Sequence, residues 1–271
     1  MPAQREDALA AREVDSLISK LLDEIKVPYS SLSKAALAQL ADLRKVLAAD
    51  YIESSLPPKP MLKELARIVE TEIKSHAALW ENLDGTSGML GHFSRIFGPR
   101  ELAVRAEPYR EGAGLALRGF FCRTRLDEQD KFVIFVNTAH HPGAVAATLG
   151  HELGHYIYGS MAGEKAPMTA LMEGSFASHL ASEDELFADS LVALSAYSHE
   201  TIRNIGLLTR VRPGSSEELF ERIKGAYDLI AQRFSLDLSR AKMAAAWRVR
   251  YLTSMTHFFK LRCALYQSAG L

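Results

Sequence analysis

The densest chemistry in the chain is the run His151-Glu152-Leu153-Gly154-His155. Imidazoles four residues apart on an α-helix share one face, about one turn from each other. Two so placed can reach a single metal ion at Zn–N distances of roughly 2.0–2.1 Å. Glu152 stands one step round the helix and can address a water molecule rather than the metal. Two ligands and a general base thus come from five residues, which is the physical content of an HExxH pattern. The chemistry it predicts is metal-assisted hydrolysis. Zn2+ is the expected ion, with Mn2+ or Fe2+ as alternatives that the same ligand types accept.

Two histidines leave a catalytic zinc short of ligands, because such sites use three protein ligands plus water. The carboxylates downstream are Glu164, Glu173, Glu183, Asp184, Glu185 and Asp189. Of these, the run Glu185-Leu186-Phe187-Ala188-Asp189 has the most suitable pattern. Glu185 and Asp189 share a helix face, while Leu186, Phe187 and Leu191 can bury that helix. Glu185 is expected to bind metal and Asp189 to accept the outer N–H of a ligand histidine. A solvated acidic first turn is the alternative, since acids at 183–185 also suit a helix N-terminus.

These groups need elements to hold them. The first histidine pair lies in AVAATLGHELGHYIYG, a helix of small and apolar residues (Val145, Ala146, Ala147, Leu149, Leu153, Ile157) that directly follows the strand-like FVIFVN. Such a helix belongs in a core, where two unpartnered imidazoles would be costly. Strands are expected at 102–106, 115–123 and 131–137, from β-branched and aromatic content between turn residues. Further helices are expected at 143–158, 183–197, 216–234 and 238–261.

The first eighty residues also read as helical. Val14, Leu17, Ile18, Leu21, Leu22 and Ile25 form one apolar stripe, which Pro28 stops. Ser30, Ser31 or Ser33 can cap a second helix carrying Leu37, Leu40, Leu43 and Leu47. After Pro57, Pro58 and Pro60 a third helix is expected over 61–80, with Leu62, Leu65, Ile68, Val69 and Ile73 inward. Helices around a small sheet make an α+β architecture. The expected organisation is a helical region 1–82, a catalytic core 83–200 and a basic helical region 201–271 packed on that core.

Composition narrows the classes. With 271 residues, 48% of them hydrophobic, and a net charge of −1, disorder and a global polyanion-attracting field are both excluded. Residues 201–271 nonetheless hold twelve Lys and Arg against five acids, a local +7. That surplus can mark a polyanion-facing surface or solvated helix faces. Cys122 and Cys263 are too few for a disulfide framework, and reduced thiols in a cytoplasm are expected. The N-terminus lacks the apolar stretch of a signal peptide, and no apolar run is long enough to span a membrane. His140-His141 reads as a solvated turn before Pro142. Tyr156 and Tyr158 read as core or rim, and His179 as a lesser candidate for stabilising an oxyanion.

The strand FVIFVN, the helix ATLGHELGHYIYG and the later ELFADSLVAL together resemble the ImmA/IrrE-type metallopeptidases, as does the segment 229–252 more distantly. The resemblance covers roughly residues 100–255. It departs at Asp189, where that family has Asn, and in the helical 1–80. It implies a zincin-like fold and cleavage of a repressor- or antitoxin-like protein partner.

Two functions follow as expectations. The first is a zinc endopeptidase in which His151, His155 and Glu185 hold the ion and Glu152 is the general base. The second is a regulatory protein that binds DNA or a repressor and uses the metal structurally. For that reading, Phe234-Ser235-Leu236 resembles a helix-turn-helix corner beside the +7 segment. Nucleic acid is thus the lesser candidate partner, and no membrane partner is expected. The two readings part at Glu152, because a structural zinc favours four closed ligands and has no use for a neighbouring base.

Overall fold

The computed structural model describes residues 2–49, 56–73, 91, 95–96, 101–109, 117–126, 129–140, 142–162, 169–172, 182–196, 215–233 and 245–270. In chain order these form α1 (Pro2–Glu24), a 3-10 turn (Tyr29–Ser31), α2 (Lys34–Ala48) and α3 (Lys59–Ile68), which runs on as a π-helical turn (Val69–Ile73). Then come β1 (Glu101–Glu107), β2 (Leu117–Leu126), β3 (Gln129–Asn137), α4 (Pro142–Ala162), β4 (Thr169–Met172) and α5 (Glu183–Ala196). Helices α6 (Ser216–Arg233) and α7 (Ala245–Ala269) close the described chain. The architecture is α+β, mostly helix with one small sheet.

The chain divides into two units. One joins Met1–Ile52 with His199–Gln267, and the other holds Glu53–Ser198 with Ser268–Leu271. The division departs from the boundary expected near 82. Helix α3 goes with the sheet because Leu62, Leu65, Ile68, Val69 and Ile73 are all buried and both α3 and its π-helical turn pack on α5. The described C-terminal helices share a unit with the N-terminal ones.

In the helical unit, α1 packs against α2 and α6. The Leu17–Ile18–Leu21–Leu22–Ile25 stripe is buried, as are Leu40, Leu43, Val46 and Leu47. Helix α7 is buried on nearly every side from Leu252 to Leu265, the condition of a central helix. Ser33 caps α2, its hydroxyl accepting from Ala36 N at 3.2 Å. Helix α1 ends in a Schellman turn: Val27 N donates to Leu22 O at 2.9 Å and Lys26 N to Asp23 O at 3.0 Å. Basic residues of α7 close the ends of other helices. Lys260 Nζ donates to the carbonyls of Val46, Leu47 and Ala49 at 2.9, 2.6 and 2.7 Å. Arg248 Nη1 reaches Ile25 O and Lys26 O. Cations at helix C-termini satisfy orphan carbonyls and complement the helix dipole.

In the second unit the sheet order is β1-β3-β2-β4. β1 runs parallel to β3, and β2 is antiparallel to both β3 and β4. Alternation puts Phe132, Ile134 and Val136 of β3 on the buried face with Phe121 of β2 and Leu102 of β1. Helix α4 packs on β2 and β3. Phe121 and Phe132 stack with ring centroids 5.5 Å apart, and each meets the Tyr156 ring edge-on. Tyr156 is therefore a core residue. Strand β4 lies outside the three strands expected from the sequence. Among the described residues no helix is long and apolar enough to cross a membrane.

Candidate metal centre

Helix α4 enters directly after β3, and the turn between them is tied down by one side chain. The Asn137 amide donates to Tyr109 O and Leu117 O and accepts from Tyr109 N and Ala139 N, all within 3.0 Å. His140 joins this knot, its Nε2 lying 3.2 Å from Leu117 O. That corrects the solvated turn expected at His140, which is buried where its ring meets the start of β2. His141 lies outside the described residues, as do Glu164, Glu173, His179 and the 234–236 corner.

From this anchored start, α4 turns His151 and His155 into the interior, 4% and 2% exposed. Helix α5 packs along α4 and brings Glu185 to the same point. The two Nε2 atoms are 3.0 Å apart. Glu185 Oε2 lies 3.2 Å from His151 Nε2 and 3.8 Å from His155 Nε2. Ligands held at roughly 2.0–2.1 Å around a tetrahedral ion are about 3.3 Å from each other, so the three spacings bracket the required edge. Together His151, His155 and Glu185 form a group that could hold a metal ion.

The outer side of the cluster is also arranged. His151 Nδ1 lies 2.8 Å from Asp189 Oδ1, and Asp189 is itself buried. With the Nδ1 proton donated to that carboxylate, Nε2 is left to face the other two donors. Asp184, another of the downstream candidate carboxylates, has its Oδ2 4.0 Å from His155 Nδ1. Glu183 points elsewhere: it is exposed and accepts from the Tyr158 hydroxyl at 3.2 Å. Tyr158 is thereby a rim residue, its ring 5.3 Å from that of Phe187.

Glu152 is completely buried, yet it is not among the three converging donors. Its carboxylate lies over β2 at Gly119. A Cβ on Gly119 would be 3.7 Å from Glu152 Oε1, but only 2.4 Å from Thr148 Cγ2 and 2.7 Å from Phe135 O. Glycine is needed there because α4 sits directly on the strand. No sequence signal short of the helix–strand contact itself could have singled out Gly119.

Electrostatics in the metal-free protein separates the two histidines. Burial pushes His151 down, but the Asp189 and Glu185 carboxylates overcome it and hold the imidazole up at about 10. His155 lacks so close a carboxylate, and burial together with the charge on His151 pulls it down to about 4. The pair therefore retains one proton near neutrality, in the position where a cation would neutralise the same carboxylates.

No family model, curated protein or solved structure matches the chain.

Proposed function

We propose that the chain is a zinc-dependent metallopeptidase of ImmA/IrrE type with a zincin-like fold, acting in the cytoplasm on a repressor- or antitoxin-like protein. The observation that supports this reading most directly is the position of Glu152. A buried carboxylate next to three converging donors, yet outside them, suits a base that works on water; a closed structural site would have no use for it.

His151, His155 and Glu185 would hold the ion, which when bound supplies Lewis-acid polarisation and makes water more acidic. A Glu152 carboxylate oxygen takes a proton from the attacking water as its oxygen bonds to the scissile carbonyl carbon. The same oxygen then delivers the proton to the amide nitrogen as the C–N bond breaks. Asp189 keeps the His151 ring in one tautomer throughout.

The competing reading, a DNA- or repressor-binding protein with a structural metal, draws on the +7 segment 201–271. Among its described residues, many cations are engaged inside their own unit. Arg248 and Lys260 close helix ends, Lys224 pairs with Glu24 at 3.4 Å, and Arg222 pairs with Glu218. That engagement favours the enzyme.

Glu152→Gln tests the proposal. It keeps the shape and removes the basicity, so cleavage of a co-expressed partner should fall by ~10²–10⁴-fold with zinc content nearly unchanged. Activity within about tenfold of the parent would remove Glu152 from the mechanism.

A further inference from the structure

The first turn of α5 carries an acid whose orientation the ligand assignment does not use. Asp184 precedes Glu185, and its Oδ2 lies 4.0 Å from His155 Nδ1. Its other oxygen, Oδ1, accepts from the hydroxyl of Ser182, the residue immediately before the helix, whose carbonyl accepts the first helical bond from Leu186 N. Ser182 thus occupies one carboxylate oxygen and leaves the second toward the histidine. The His155 side chain is 1% exposed while that of Asp184 is 27% exposed, so the carboxylate lies on the solvent side of the buried ring.

The two histidines are then treated alike. Each turns Nε2 to the common centre, where the nitrogens are 3.0 Å apart, and each turns Nδ1 to a carboxylate of α5. Asp189, four residues after Glu185, serves His151; Asp184, one residue before Glu185, stands at His155. One helix supplies both a ligand and the outer partner of each remaining ligand. We propose that Asp184 is the positioning residue of His155: it accepts the hydrogen bond of Nδ1–H, fixes the tautomer and leaves Nε2 free for a divalent cation. The 4.0 Å separation exceeds a hydrogen bond of about 2.9 Å, so the contact closes by about 1 Å when the proton is shared. Outer partners of this kind are worth 10–100-fold in metal affinity.

The assignment rests on the metal reading above but not on the peptidase activity, and its test needs no substrate. Zinc affinity is measured by chelator competition for the full-length parent, Asp184→Asn, Glu183→Gln and Asp189→Asn. The Nδ1–H resonances of both histidines are followed by 15N-edited NMR in the zinc-loaded proteins. Asp184→Asn should weaken zinc 10–100-fold, and should move or broaden the His155 Nδ1–H signal while the His151 signal stays. Asp189→Asn should do the reverse to the two signals. Glu183→Gln removes the same helix-terminal charge and should change neither. Asp184 is partly exposed, so its amide should fold; Ser182→Ala, which only frees the carboxylate, should give a smaller loss of affinity in the same direction. An Asp184→Asn protein that binds zinc within threefold of the parent, with the His155 signal unmoved, would overturn the assignment alone. Equal losses in Asp184→Asn and Glu183→Gln would reduce it to helix-terminal charge. A parent that takes up no zinc would overturn the metal reading and this assignment together.

Discussion

Gly154 and Ala188 touch backbone to backbone: a Cβ on Gly154 would lie 2.5 Å from Ala188 Cα and 3.0 Å from Ala188 Cβ and O. Helices α4 and α5 are in close contact here, and the residues of the site are spaced alike about it. Gly154 is three residues after His151 and one before His155; Ala188 is three after Glu185 and one before Asp189. The contact therefore sets the register of one ligand helix on the other.

Gly154→Ala tests that relationship by sign. In an ordinary helix the change would stabilise by about 0.5–1 kcal/mol. Here the obstructing atom is backbone, which cannot rotate away, so the helices must part. The expected result is a loss of roughly 1–3 kcal/mol in urea unfolding, as for other overpacked cores. Zinc affinity should fall with it, because Glu185 and Asp189 move with α5. A variant as stable as the parent, with the same zinc affinity, would show that the crossing has room.

The ligand order gives a second check. Glu185→Ala should lower zinc affinity most, since it removes one of three converging donors. Asp189→Ala should cost roughly 10–100-fold, the amount typical of an outer partner. Glu183→Ala should do little, because that carboxylate faces Tyr158. Chelator competition on the three purified variants would give the ranking. Retention of metal by Glu185→Ala would mean that the third ligand lies elsewhere.

What was legible in the sequence, and what was not, follows from the range of the forces involved. Helical and strand periodicities report which face a segment buries, so α4, α5 and the three longer strands could be read from local pattern. The i,i+4 spacing of His151 and His155 likewise carries its own geometry. Strand β4 has only four residues, too few to display alternation, and it exists because β2 offers an edge. The burial of His140 depends on Leu117, and the close seat of α4 on β2 depends on Gly119 beneath Thr148; neither partner is near in sequence. The union of the two chain ends in one unit was invisible for the same reason. Its determinants are apolar stripes that any other stripe could have covered. Nor could the +7 of 201–271 reveal that Arg248 and Lys260 are spent on helix ends.

Lys26 offers a test of the helical unit. It sits at φ +53°, the left-handed position that follows α1, where glycine is the usual residue. A side chain there costs roughly 1–2 kcal/mol, part of which glycine returns through its freer unfolded chain. Lys26→Gly should therefore stabilise by about 0.5–1 kcal/mol, and Lys26→Val should destabilise, since a β-branched residue fits that region worst. Urea midpoints for the two variants would settle the sign. A drop in Lys26→Gly would imply that the lysine side chain itself is needed.

The two histidines make a prediction about protons that separates this site from a pair of independent imidazoles. With His151 held up at about 10, the metal-free protein carries a proton there at neutral pH, and a cation must displace it. With His155 pulled down to about 4, that ring is already neutral and releases nothing. Zinc uptake should accordingly release close to one proton per site throughout the window between about pH 5 and pH 9. Across that window apparent affinity should rise about tenfold per pH unit, and flatten as pH approaches the His151 value. The sign follows because the proton and the cation compete for the same nitrogen, so removing protons favours the cation. Two ordinary histidines near 6.5 would instead release about a quarter of a proton each at pH 7 and almost none at pH 8. Calorimetric titration of the metal-free protein in buffers of different ionisation enthalpy counts the protons directly. In Asp189→Asn the release at pH 8 should collapse, since the carboxylate that holds the His151 proton is gone. Release near zero at pH 8 in the parent chain would mean that Asp189 orients His151 without holding it charged.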